Sequence, residues 1–314
     1  MNTSLLYENS SSTAAILLGL GEYGRSYLEN PNGPSDSDNE LLHKYFVEVT
    51  AVADPSYLTV YQWEHFELRR WRKWMGSNWS LSIYASVVYL MLIFSVQKLM
   101  QNRQPFQLRR ALTCWNIMLA AFSIMGFLRT APELFHVLKS PGGFHLSICR
   151  RGDEHNLATA FWGWLMALSK MVELGDTIFI VLRKQPLIFL HWYHHITVLI
   201  YTWYTYEAYE PPLRWFMTMN MFVHALMYSY YALKSLKVKI PRNWAMMITC
   251  LQLSQMVVGV TINMYSLYIK AVAGTPCACG WENINLALSM YASYFILFAN
   301  FFYMAYLSKK AKMA

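Results

Sequence analysis

The sequence predicts an all-α polytopic membrane protein with seven transmembrane helices, and three observations carry that expectation. Of 314 residues, 55% are hydrophobic and only 14% charged, whereas a soluble domain carries about a quarter of charged residues. The apolar residues gather in seven runs, each about as long as the ~20 helical residues that cross a bilayer core. The basic residues behind the net charge of +8 sit in short clusters between those runs and not on one patch, which is a pattern of membrane topology rather than of nucleic-acid binding.

Residues 1–60 are rich in Ser, Asn, Gly and acidic side chains without a strong period, so a flexible lumenal segment is expected there. Its apolar stretch "AAILLGL" is short and lacks a basic flank, so no cleaved signal peptide is expected. Asn2 (N-T-S) and Asn9 (N-S-S) are glycosylation sequons. Over 61–79, "ELRRWRKW" with Trp63 and Phe66 around it reads as an amphipathic helix lying in the interface, or else as a frayed juxtamembrane loop. The seven-span domain follows over 80–307, with spans at roughly 80–100, 112–131, 159–182, 188–206, 213–233, 244–269 and 284–307. A cytosolic tail, 308–314, ends in "KAKMA", which fits a dilysine retrieval signal for the endoplasmic reticulum as well as simple positive charge.

Lys and Arg orient the spans. Lys98, Arg103, Arg109, Arg110, Arg183, Lys184, Lys234, Lys237, Lys239, Arg242 and three tail lysines flank one side, thirteen in all, against five in the alternate loops. The richer side is expected to be cytosolic, with the N-terminus lumenal. Cys149, Cys277 and Cys279 then share the lumenal compartment, where an oxidising environment permits a disulfide of Cys149 with Cys277 or with Cys279.

Ionisable side chains inside spans are costly and raise a functional hypothesis by default. The third span carries Lys170, Glu173 and Asp176, the fourth His191, His194 and His195, the fifth Asn220, His224, Tyr228 and Tyr231, and the sixth Gln252 and Gln255. Counted from each cytosolic end at ~1.5 Å per residue, these groups fall ~10–17 Å deep in alternating helices. They therefore form one polar layer. His191, His194 and His195 share a helix face at i, i+3 and i+4.

The motifs "KMVELGDT" (170–177), "HWYHH" (191–195), "NMFVHALMYSYY" (220–231) and "TCLQLSQ" (249–255), in this order, resemble those of the fatty-acid elongases, the membrane 3-oxoacyl-CoA synthases. The resemblance covers about 75–310, and "ELGDT" and "HWYHHITVL" are most similar to the branch extending long-chain saturated and monounsaturated acyl groups. It implies six of the seven spans enclosing an acyl tunnel, residence in the endoplasmic reticulum, and condensation of acyl-CoA with malonyl-CoA without a bound cofactor. The expected partners are acyl-CoA, malonyl-CoA, the endoplasmic reticulum membrane, and the reductase and dehydratase of the elongation cycle; a homodimer is left open, and nucleic acid is not expected.

Neutral imidazole can carry an acyl group, so His194 is the expected acyl carrier and His224 its assistant, with His191 and His195 orienting or moving protons. Asn220 and Gln252 are candidate oxyanion donors. Lys170, Glu173 and Asp176 are expected to form a buried network, and with Tyr228, Tyr231, Gln252 and Gln255 to frame the substrate site. Chain length is expected to be read at the lumenal end, with Val260 and Asn263 as the floor. The alternative is a di-iron desaturase or hydroxylase, which also uses H-x-x-H-H. Such sites need about eight ligands and imidazole suits iron, but only four of the nine histidines lie within spans, and no metal ligand is assigned.

Overall fold

The computed structural model describes residues 58–150, 156–274 and 276–308. The sequons at Asn2 and Asn9, most of the N-terminal segment and the end of the lysine-bearing tail lie outside the described residues. Within them the secondary structure is helical, with no strand.

A 3₁₀ turn, Gln62–Glu64, precedes α1 (Leu68–Asn78). This helix buries Leu68 and Met75 on a cluster with Ala160, Leu199 and Trp203. Its basic residues divide: Arg69, Arg70 and Lys73 are exposed, while Arg72 donates to the carbonyls of Glu207 (2.7 Å) and Ala208 (3.4 Å). α2 (Leu81–Met100) is apolar almost all round. Its buried residues Ser82, Ser86, Tyr89, Ile93 and Met100 form one stripe, and Val87, Val88, Met91 and Leu92 stay exposed on the other faces, as expected of a helix facing lipid on most sides.

α3 (Arg109–Lys139) runs through Pro132, eight residues past the expected end of the second span. It packs more extensively than any other helix pair, against α8 (Leu213–Ser235). A Cβ at Gly126 would sit 2.6 Å from the sulfur of Met221, so a small residue sets how closely these two helices approach. Between them come the short α4 (Gly143–Cys149) and the third apolar run. That run is two helices, α5 (Leu157–Glu173) and α6 (Gly175–Leu182), not one. The break falls at Leu174–Gly175, where a Cβ on Gly175 would lie 2.7 Å from the Trp115 ring. α7 (Phe189–Tyr206), α9 (Arg242–Ala271) and α10 (Trp281–Phe302, continued by a π turn over Tyr303–Leu307) complete the fold.

By length and composition, α2, α3, α9 and α10 with its continuation are apolar enough to cross a membrane. The expected spans at 159–182, 188–206 and 213–233 fold as helices but do not meet that measure. These are the three runs that carry the motif carboxylates Glu173 and Asp176 and the histidines His191, His194, His195 and His224.

The connections sort to two ends. At the basic end, Lys184 Nζ donates to the carbonyls of Gln101 and Arg103 (3.0 and 3.2 Å), and Arg242 donates to Ala305 O (2.6 Å). At the opposite end Cys149 and Cys277 form a disulfide, S–S 2.08 Å, while the buried Cys279 thiol lies outside it and donates to Ile148 O (3.3 Å).

Candidate active site

A cavity of about 580 Å³ opens between α3, α6, α7, α8 and α9 towards the basic end. Its wall includes Glu173, Asp176, His191, His194, His195, Asn220, His224, Tyr228, Tyr231, Gln252 and Gln255. Four sequence-remote motifs thus meet at one place. A smaller cavity of about 90 Å³ continues towards the opposite end, lined by Tyr201, Tyr206, Glu210, Asn283 and Tyr291 among others. His194, Asn220, Gln255 and Met256 border both cavities.

Lys170 does not face the main cavity; it stands behind the wall and orders it. It is 2% exposed, and its ammonium donates to both oxygens of Glu173 (2.9 and 3.1 Å) and to Asn220 Oδ1 (2.8 Å). Glu173 also accepts from Ser169 (2.9 Å). An ammonium has no lone pair to offer, so its bond fixes which end of the Asn220 amide is oxygen. Asn220 Nδ2 therefore donates to His224 Nε2 (3.2 Å). Neutral His224 then carries its proton on Nδ1, which lies 3.9 Å from Glu173 Oε2. One buried cation so sets an amide orientation and a histidine tautomer two contacts away.

Asp176 is held separately, accepting from Trp115 Nε1 (2.6 Å) and Tyr228 OH (2.8 Å). The absent side chain of Gly175 is what lets Trp115 approach. Gln252 makes only a weak contact, Nε2 to Met227 Sδ at 3.5 Å, so most of its hydrogen-bonding capacity remains for a guest.

The three clustered histidines differ. His191 Nε2 is bonded to Thr177 Oγ1 (2.9 Å). His195 is 7% exposed, its Nδ1 has no hydrogen-bond partner among the described residues, and its ring lies 4.5 Å from that of His191. The His194 ring has no hydrogen bond among the described residues; it packs against Tyr294 (5.0 Å) and Phe298 (6.2 Å). The Tyr294 hydroxyl, bonded to Thr197 Oγ1 (2.6 Å), holds the neighbouring backbone and leaves the imidazole free.

One expectation changes. Neither Val260 nor Asn263 lines either cavity: Val260 packs on the Met256–Tyr291 cluster and the Asn263 amide donates to Gly259 O (2.8 Å). The far end of the smaller cavity carries instead a polar chain in which Tyr201 OH donates to Asn283 Oδ1 (2.7 Å) and Asn283 Nδ2 to Glu210 (2.5 Å). Cys250 is exposed and absent from both walls. Sequence reading also missed Asn116 on α3, a cavity residue whose buried Nδ2 has no hydrogen-bond partner among the described residues. An amide inside an apolar run was the available signal.

Among the described residues, no group of three or more His, Cys, Asp or Glu side chains is arranged to hold a metal ion. The family model described as ELO, GNS1/SUR4 family, matches residues 74–314. The chain is 52% identical over 256 residues to very long chain fatty acid elongase 6 of Drosophila melanogaster, covering 81% of each chain. It is 45% identical over 240 residues to very long chain fatty acid elongase 6 of Homo sapiens (76% of this chain, 89% of the relative). Against very long chain fatty acid elongase 3 of Homo sapiens it is 41% identical over 254 residues (81% and 93%). None of these comparisons points to a desaturase or hydroxylase.

Proposed function

The chain belongs to the ELO (GNS1/SUR4) family of fatty acid elongases, and from that premise we propose that it performs the decarboxylative condensation of acyl-CoA with malonyl-CoA, with His194 as the acyl carrier. The observation that carries the reading is the position of His194, the one histidine bordering both cavities, with a ring that forms no hydrogen bond among the described residues. A group that must form and break a covalent bond needs a nitrogen lone pair not already engaged.

In the first half-reaction an imidazole nitrogen of His194 attacks the thioester carbonyl. The C–S bond breaks, the ring's other proton passes to the thiolate, and CoA leaves as the thiol. In the second, malonyl-CoA loses carbon dioxide and its carbanion attacks the acyl carbon. The C–C bond forms, the C–N bond breaks, and the leaving imidazole takes up one proton from solvent, the proton that the net condensation consumes, as 3-oxoacyl-CoA departs. Asn220 retains one amide hydrogen beyond its bond to His224, and Gln252 is almost unengaged. Both are donors for the developing oxyanion, whose stabilisation by a preset amide is worth ~10²–10³ in rate. His224, its tautomer fixed from Lys170, assists at the same carbonyl. Glu173 and Asp176 hold the wall, and Tyr228, Tyr231, Gln255, His191 and His195 complete it.

The acyl chain is read as passing His194 into the smaller cavity, with CoA at the basic end, where Arg183 and Lys234 line the mouth of the larger one. On this reading the seven helical runs are seven spans, six of them around the tunnel, with the basic end cytosolic and the disulfide lumenal in the endoplasmic reticulum membrane. The polar helices α5–α6, α7 and α8 cross because their polar faces turn inward.

Intact-protein mass spectrometry of purified protein with acyl-CoA alone tests the carrier. CoA release and an added acyl mass are expected, followed by 3-oxoacyl-CoA once malonyl-CoA is supplied. Release of CoA only in the presence of malonyl-CoA, with no adduct, would give the histidines binding and acid–base roles in a direct reaction.

A further inference from the structure

The apolar helix α2 contributes one buried hydroxyl to the site, and the donor arithmetic around it is closed. Tyr89 is 6% exposed, Thr177 is fully buried, and Tyr89 OH lies 2.7 Å from Thr177 Oγ1, which lies 2.9 Å from His191 Nε2. Tyr89 OH has no other partner among the described residues, and neither has Thr177 Oγ1. Each hydroxyl has one proton. Were Thr177 to donate to Tyr89, the tyrosine proton would be buried with no acceptor, and leaving a buried donor unmade is the expensive choice. The tyrosine proton therefore goes to Thr177, the threonine proton goes to His191 Nε2, and neutral His191 keeps its own proton on Nδ1.

We propose that Tyr89 and Thr177 are positioning residues that lock His191 as the Nδ1–H tautomer, so that it serves the main cavity as a hydrogen-bond donor and never as a nucleophile at Nε2. Nothing in the apolar run 80–100 marks Tyr89 for this role; its distance of 88 residues from Thr177 is bridged only by the packing of α2 on α6. The lock divides the histidines. His191 Nε2 and His224 Nε2 are both occupied as acceptors, while His194 keeps its lone pair. The catalytic consequence rests on the condensing reaction proposed above; the tautomer does not.

The full chain in detergent, labelled with ¹⁵N-histidine, tests the lock by the side-chain nitrogen shifts of His191, assigned by loss of its signal in His191→Gln. Wild type is expected to show unprotonated Nε2 and protonated Nδ1. Thr177→Val should move the signal towards the Nε2–H form or a mixture, and lower kcat by about tenfold, the worth of one buried hydrogen bond, with KM for malonyl-CoA nearly unchanged. Thr177→Ser should restore both. Tyr89→Phe, which frees Thr177 to reverse its bond, should mix the tautomers with a smaller loss of kcat. A wild-type His191 protonated on Nε2 would overturn the proposal, and so would a Thr177→Val enzyme with native shifts and native kcat. If Thr177→Val does not fold, the wild-type, Thr177→Ser and Tyr89→Phe spectra decide it. If wild type yields no 3-oxoacyl-CoA, the condensing reading fails while the shifts still judge the lock.

Discussion

The two ends of the molecule both bury charge, and they do it differently. At the end opposite the basic loops, Glu64 is fully buried and filled with donors: Arg129 Nε and Nη2 (2.7 and 2.6 Å), Trp162 Nε1 (3.0 Å) and the Tyr61 amide (2.9 Å). Arg214 and Glu133 pair at 3.2 Å, each about 6% exposed. At the wall of the main cavity stands the equivalent ion pair, Lys170–Glu173, and the cavity itself is lined by side chains that keep spare capacity among the described residues: the His194 ring, His195 Nδ1, Asn116 Nδ2 and the Gln252 amide. Buried polar groups are normally satisfied, so unspent capacity around a void marks where a guest is expected. Complete satisfaction, as at Glu64, marks a staple. Glu64 ties the turn before α1 to α3 and α5, and the Arg214–Glu133 pair ties α8 to α3, whereas the near end keeps a cavity open.

The comparison breaks most visibly at His194. His194→Gln keeps much of the side-chain volume, and turnover should fall by ~10³-fold or more, in the range seen when a group acting directly on the reacting atoms is lost, while the melting temperature changes little. A parallel loss of folded protein would mean that His194 is a staple as well.

Glu64→Ala should do the reverse. It strands Arg129 and Trp162, and breaking a buried pair costs ~3–5 kcal/mol of stability, read by thermal unfolding, while the folded fraction keeps its turnover. The same carboxylate gives a pH test. Burial alone would raise its pKa, but the bonds from Arg129, the Tyr61 amide and Trp162 prevail and hold it below the ordinary value. A depressed folded pKa contributes stability that is complete above the unfolded value and is lost as pH falls through the folded one. The unfolding temperature should therefore decline below pH ~4.5, and less steeply in Glu64→Gln.

Cys277→Ser removes the link between the α4 region and the loop before α10, spanning 128 residues, and should cost ~2–4 kcal/mol. Trapping of a Cys149–Cys279 pair by peptide mapping would show that the buried third thiol can substitute. The smallest effect is expected at the far tip of the smaller cavity. Tyr201→Ala enlarges it and should lengthen the longest product, whereas Val260→Phe, off both walls, should change the product distribution less. The opposite ranking would return the floor to α9.

Much of this was legible in the chain itself. The seven apolar runs all became helical, five of them as single helices near their expected ends, the second running eight residues further and the third split in two, because helix formation in an apolar setting depends on local length and composition. The polar layer was legible too: fixed rise per residue turns sequence position into depth, and the motif residues of α5, α7, α8 and α9 do line one cavity. The break before Gly175 was not, nor was the close approach of the Trp115 ring from another helix that position 175 leaves room for. The ion pairs of Arg129 with Glu64 and of Arg214 with Glu133 were not anticipated, and Arg72, part of the expected interfacial helix, binds Glu207 and Ala208 carbonyls.

What the sequence determined by itself is therefore which residues are helical and which polar side chains meet around one cavity. What only the tertiary structure decided is which valence of each group is left to react. Lys170 fixes the Asn220 amide from 50 residues away, Thr177 fixes His191 from another helix, and Arg129 satisfies Glu64 across 65 residues. Periodicity and depth are properties of one segment. A hydrogen bond between segments depends on how they pack, and no local pattern records it.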